Sequence, residues 1–183
     1  TKNKGIPITA SKSPLPILTT FEQARQGLEE GGVVLQEIDP PQPPLSKGGK
    51  KVVFAAIGDM TLIPIYEAAK QLQSQEIGSR IVSIINPRRL YRPHDVAWET
   101  CSEKDGNFLD DEGFERLFGG DALIGVTGGT SAMLEPVMLR SNSKRDVFAW
   151  KRGETTASAG QIMAFNGLTA ENFVKRAIEL IGS

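Results

Sequence analysis

The 183-residue sequence predicts an α/β fold, a mostly parallel open sheet with helices on both faces. Three observations carry that expectation. Short, unbroken apolar runs at 52–57, 81–85 and 122–126 suit strands buried on both faces of a parallel sheet. Between them apolar residues recur at helical spacing, so strand and helix patterns alternate. Hydrophobic residues make up 39% of the chain, enough for one core in a chain of single-domain size.

Residues 1–20 are polar and spotted with Pro7, Pro14 and Pro16, with no sustained period. From Phe21 to Leu28 the apolar spacing predicts a helix, capped by Thr19 or Thr20 and ended by Gly31-Gly32. Val33, Val34 and Leu35 suit a short strand. Prolines and glycines crowd 39–50 and deny it a regular hydrogen-bond ladder, which predicts an exposed linker or insertion. Docking of that proline-rich stretch on a partner domain is the less favoured alternative. The expected division is therefore an N-terminal extension, 1–50, with a short helix and a linker, and an α/β domain, 51–183.

After the strand at 52–57, the turn Gly58-Asp59-Met60 leads into a helix beginning at Thr61. Leu62, Ile65, Ala69 and Leu72 form its inner stripe, and Pro64 is tolerated in the first turn. Gly78 is expected to stop this helix, and Asn86-Pro87 to end the strand at 81–85. A charged, irregular stretch, 88–107, precedes a short helix at 111–118 and the strand at 122–126. The helical segment 132–140 is expected to be interrupted by Pro136, and 147–150 to form a further strand. Two helical patterns follow. The last, 170–181, places Phe173, Ala177, Leu180 and Ile181 on one side, after a cap at Thr169.

Charge and cysteine usage exclude several function classes. Lys+Arg number 21 against 22 Asp+Glu, so no global field attracts nucleic acid or an anionic membrane. No window approaches the roughly 18 consecutive apolar residues of a membrane span. The single cysteine, Cys101, rules out an internal disulfide and fits a reducing, cytoplasmic setting. Residues 1–4 are not followed by the apolar run of a secretory signal, which agrees with that expectation. With one histidine, His94, neither a histidine-based metal site nor a Ser-His-Asp triad can be assembled from this chain alone. Cys101 has no basic neighbour to activate it, which favours an inert thiol.

Three patterns carry possible chemistry. Gly58-Asp59 after one strand and Asn86 after the next are ordered like a magnesium-diphosphate site, since Mg²⁺ takes hard oxygen ligands. Met60 in place of a second glycine, and Pro87 after Asn86, favour a plain βα turn with Asp59 capping the helix. Thr127-Gly128-Gly129-Thr130-Ser131 lies between a strand and a helix, where backbone N–H groups could cradle phosphate. It lacks the lysine of a P-loop, and a tight turn with a helix cap is the plainer alternative. Arg88, Arg89, Arg92 and His94 follow the strand at 81–85, on the edge that faces the ligand crevice in open α/β sheets. Guanidinium groups there could bind phosphate, and a solvated loop or subunit contact explains them equally well. The candidate phosphate or ligand-binding residues are thus Arg88, Arg89, His94, Thr127, Gly128, Gly129 and Thr130; no catalytic or metal-ligating residue is assigned.

Several segments together carry a family likeness: 21–39, 52–62 with Gly58-Asp59 and Thr61-Leu62, Arg89-Leu90 followed by Phe114 and Leu117-Phe118, and Val147, Lys151, Thr155-Thr156, Met163 and Asn166. In order and type they resemble the carboxyl-terminal domain of phosphoketolases, which stand with the transketolases among the thiamine-diphosphate enzymes. This chain departs from the family at Thr127-Gly128-Gly129-Thr130, where His-Gly-Tyr-Pro is expected. It also departs at 148–154, where Arg-Gly-Tyr-Lys-Glu-Glu-Gly is expected.

The resemblance implies a transketolase carboxyl-terminal-domain-like fold and a Gly-Asp turn that does not bind the cofactor. It implies a parent enzyme that cleaves xylulose 5-phosphate or fructose 6-phosphate with inorganic phosphate to acetyl phosphate, an aldehyde-lyase reaction. Thiamine diphosphate and Mg²⁺ would lie between two larger amino-terminal domains and not on this chain. Those domains and a second copy in a homo-oligomer, a dimer, would be its partners, with no nucleic acid and no membrane. The expected role is an auxiliary interface domain, inactive alone. Two alternatives stay open: a stand-alone phosphate or small-molecule-binding module, and the terminal domain of a transketolase or 2-oxoacid dehydrogenase subunit.

Overall fold

A computed structural model describes residues 17–39, 49–92, 108–151 and 157–182. Five strands form one sheet: β1 (Gly32–Ile38), β2 (Lys51–Ile57), β3 (Gly78–Ile84), β4 (Ala122–Thr127) and β5 (Lys144–Phe148). Their order is β1-β3-β2-β4-β5; β1 runs antiparallel to β3 and the other four are mutually parallel. The expected mostly parallel α/β fold is the observed one.

The helices are α1 (Phe21–Glu30), α2 (Leu62–Gln73), α3 (Asp111–Phe118), α4 (Glu135–Arg140), α5 (Ala159–Phe165) and α6 (Ala170–Gly182). Alternation along β2 and β4 splits the core. Val52, Phe54, Ala56, Ile124 and Val126 pack against α2 and α6, with Phe173 central to that layer. Val53, Ala55 and Leu123 pack against Phe114 and Phe118 of α3, against Leu134 just before α4, and against Val137 and Met138 of α4. Gly125 lets α4 approach closely, because a Cβ there would lie 3.0 Å from the Met138 sulfur.

Local signals explain most element ends. Thr20 caps α1 through a reciprocal pair with Gln23, and Gly31 closes it at φ 95°, where a Cβ would strike Leu90 at 2.7 Å. Thr169 Oγ1 accepts from Asn172 N–H at the start of α6. Other ends differ from the sequence expectation. The strand expected at 33–35 runs over seven residues and is hydrogen-bonded into the sheet edge. A bulge between Val34 and Gln36 breaks its alternation, so Leu35 and Ile38 both reach the α2 layer. Gly78 begins β3 instead of stopping α2, which ends four residues earlier at Gln73–Ser74. Pro136 starts α4 instead of interrupting it, since a first-turn N–H has no helical partner to lose. The last strand lies at 144–148, three residues upstream of the hydrophobic end that predicted it.

Polar groups close the edge where the parallel strands begin and the antiparallel β1 ends. Glu37 on β1 accepts from Arg80 on β3 at 2.8 and 2.9 Å and pairs with Lys51 on β2. Arg80 also donates to the Arg116 carbonyl at 2.6 Å. The hydrogen bonds of Arg80 first, and then the Lys51 contact, outweigh partial burial and pull the Glu37 carboxyl down to about 2.

Candidate functional site

The parallel strands place their carboxyl ends on one edge, and the order reverses beside β2: the chain passes from β2 to β3 on one side and then to β4 on the other. In open α/β sheets that switch point is where ligands bind. The turns that meet there are 58–61 after β2 and 127–130 after β4.

Gly58 has φ 95°, a conformation that suits glycine, and its carbonyl accepts from Thr61 Oγ1 at 2.7 Å. Asp59 makes no capping hydrogen bond, so its expected role as helix cap is corrected: the threonine hydroxyl stabilises this turn and leaves the carboxylate exposed. Across the switch point Thr127 is buried, and its Oγ1 accepts from Gly129 N–H at 3.1 Å. The Gly129 carbonyl accepts from Trp150 N–H, and Thr130 Oγ1 from Ala132 N–H at 3.4 Å. Gly128 leaves open space where a Cβ would stand.

The arginines lie elsewhere. Arg88 and Arg89 form the short turn after β3, with β2 between them and the 127–130 turn. Arg88 is exposed, while Arg89 Nε donates to the Glu29 carbonyl at the end of α1. Asn86 is turned the same way, its amide donating to the Leu28 carbonyl at 3.2 Å and its N–H to the Gly31 carbonyl at 3.0 Å. The structure therefore joins Thr127, Gly128, Gly129 and Thr130 in one turn and seats Arg88 and Arg89 in another. His94 and Cys101 lie outside the described residues.

Two surface hollows open on the same edge. A cleft of about 260 Å³ lies between β1, β3 and the start of α2, walled by Leu18, Val33, Leu35, Leu62, Ile63 and Ile85, with Thr19, Asp59, Tyr66 and Ser83 as its polar groups. Partial burial raises the Tyr66 phenol above its usual value. Beyond Ile63, a second apolar groove runs between α2 and α5–α6, past Met60, Pro64, Met163, Ala164 and Leu168. Ile63 is 51% exposed, and Phe165, at the end of α5, is 66% exposed.

Arg140 was not singled out by motif, yet its side chain is 1% exposed. It donates to the carbonyls of Leu90 (2.8 Å) and Leu109 (2.9 Å) and to Asp111 (2.9 Å), and its guanidinium lies 4.3 Å from the centre of the Phe114 ring. It thus fastens the chain on both sides of 93–107. Arg92 first, and Arg140 next, hold the Asp111 carboxyl below its usual value. Its position three residues after Val137, on the inner stripe of α4, was the available signal.

Magnesium diphosphate does not fit the Gly58-Asp59…Asn86 arrangement. The Asn86 side chain is turned toward α1, its Nδ2 donating to the Leu28 carbonyl, and among the described residues the cleft beside Asp59 has aliphatic walls and no cationic side chain to meet a diphosphate. Among the described residues no three His, Cys, Asp or Glu side chains are grouped to hold a metal ion, and no helix is long and apolar enough to cross a membrane.

No protein-family model matches the sequence, and a search of curated proteins returns no match. Solved structures do resemble the fold. A transketolase from Campylobacter jejuni subsp. jejuni NCTC 11168 superposes with a TM-score of 0.52 at 19% identity, over 82% of this chain and 19% of the other. A transketolase variant from Pichia stipitis gives 0.57 at 17%, over 93% and 20%. A split-gene transketolase described as an inactive β4 tetramer gives 0.54 at 21%, over 93% and 48%. At these identities the likeness establishes a shared fold. The chain spans about a fifth of the length of the first two and about half of the third.

Proposed function

We propose that this chain is an auxiliary packing domain of a thiamine-diphosphate enzyme of the transketolase kind, and specifically of a phosphoketolase. The observation that carries it is the apolar groove on the carboxyl edge, with Ile63 half-exposed on its wall and Phe165 exposed at the end of α5. Contiguous exposed apolar surface of this kind marks a contact face. The fold likeness supports the wider reading, because the matched region is a minor part of each transketolase. The sequence resemblance at Gly58-Asp59, Arg89-Leu90 and Leu117-Phe118 supports the phosphoketolase reading.

In this proposal the groove packs on the amino-terminal domains that bind thiamine diphosphate and Mg²⁺, and a second copy completes a dimer. The boundary near residue 50 separates an extension from the domain, with β1 of the extension paired to β3. Arg88, Arg89, His94 and the 127–130 turn are the proposed phosphate-facing positions of the assembled enzyme, and its setting is the cytoplasm. The cofactor would supply the carbon–carbon cleavage chemistry from the other domains.

Co-expression with the amino-terminal domains of a phosphoketolase, and separately of a transketolase, tests this. The expected result is co-purification with the former and acetyl phosphate formed from xylulose 5-phosphate and phosphate. Assembly with transketolase domains alone would move the assignment to that enzyme, and assembly with neither would overturn it. Calorimetry on the chain alone should show no thiamine diphosphate binding with Mg²⁺; micromolar affinity would refute that.

A further inference from the structure

We propose that the cleft between β1, β3 and α2 is a binding site for a small amphipathic amine, a primary ammonium on a one-ring or branched aliphatic body. Three features of the wall set the ligand class. First, among the described residues its only charged side chain is Asp59, which is exposed, and no described Lys, Arg or His lines the space. An anion would meet a carboxylate without a counter-charge, whereas an ammonium gains a charge-assisted hydrogen bond.

Second, the Asp59 carboxylate and the Tyr66 and Ser83 hydroxyls make no hydrogen bond to other described residues, so all three remain available to a guest. The Tyr66 phenol, whose pKa partial burial raises further, is a hydroxyl donor as well as an acceptor. Ser83 sits on β3 between Val33 of β1 and Ala56 of β2, on the sheet floor of the cleft. The hydroxyls can therefore take a second polar group of the guest. Third, the remaining wall is almost wholly aliphatic, and about 260 Å³ lies just under the range of roughly 300–1,000 Å³ usual for drug-sized ligands, which selects a smaller molecule. The bulge in β1 helps to build this wall by keeping Leu35 on the α2 side. The chain builds this cleft by itself, and the cleft shares only Ile63 with the packing groove.

The test is a methyl NMR titration of the full chain with phenethylamine, tyramine and phenylacetate. The two amines are expected to shift the methyl signals of Leu62, Ile63 and Ile85, tyramine at lower concentration because it carries a hydroxyl, while phenylacetate leaves them in place. Asp59→Asn should weaken amine binding about tenfold or more. It should leave the melting temperature unchanged, since Asp59 caps nothing. Tyr66→Phe and Ser83→Ala should reduce the preference for tyramine. Equal binding of phenylacetate, unchanged amine affinity in Asp59→Asn, or the absence of methyl shifts at millimolar amine would each overturn the proposal.

Discussion

The two ends of the sheet are built on opposite terms. At the edge where the parallel strands begin, charges from three strands are drawn together: Glu37, Lys51 and Arg80 satisfy one another, and Arg80 also takes up a carbonyl at the end of α3. At the carboxyl ends the surface is hollowed and apolar, with Ile63 and Phe165 exposed and Asp59 without a partner among the described residues. One end spends its polar groups on holding the strands in register. The other leaves Asp59, Tyr66 and Ser83 without a hydrogen-bond partner among the described residues. Stability and recognition are thus carried by different residues, and substitutions should separate them.

The largest loss is expected between the two ends, at Arg140. Arg140→Ala strands two carbonyls and empties a buried position, and should lower unfolding free energy by about 3 kcal/mol, measured by urea denaturation. At the charged end, Arg80→Ala leaves Glu37 with Lys51 alone and should cost about 2 kcal/mol in the same experiment. At the apolar end, Ile63→Ser with Phe165→Ser should change stability by less than about 0.5 kcal/mol per site. Light scattering should show the native chain self-associating at high concentration and this double variant as a monomer. A native chain that stays monomeric would remove the contrast between the ends.

The smallest effect is a pH dependence. The Glu37 carboxyl titrates near 2 in the folded chain against an ordinary 4.5, so its contribution is complete above 4.5. As pH falls from 4.5 toward 2 the unfolded chain takes up a proton that the folded one refuses, and the contribution is lost. Urea midpoints of the native chain should therefore fall more steeply over that window than those of Glu37→Gln. Parallel curves would show that the cluster adds nothing to the charged end.

The contrast was only half legible in the sequence. Buried strands 52–57 and 122–126 announce themselves by unbroken apolar runs, and the start of α1 by a threonine cap at 19 or 20, which the structure resolves as Thr20 paired with Gln23. Edge strands do not. β5 begins Lys144-Arg145-Asp146, charges that suit an exposed edge and mask the strand pattern, with Asp146 tied to Arg176 of α6 at 2.6 Å. The bulge in β1 erases the alternation that would have marked it as a full strand. Of the candidate residues, Thr127 to Thr130 could be read as one unit because they are contiguous. The orientation of Arg89 and Asn86 toward α1 could not, because their partners Glu29 and Leu28 lie some sixty residues away.

By itself the sequence determined the fold class, the strands of the centre and the helices that cover them, because burial on two faces and helical periodicity are local, repeating demands on residue type. Tertiary structure alone decided that β1 joins the edge antiparallel, that Arg140 is buried against Phe114, and that Asp59, Tyr66 and Ser83 share one cleft. Each of those depends on which distant segments meet, and no local pattern in a single chain encodes that.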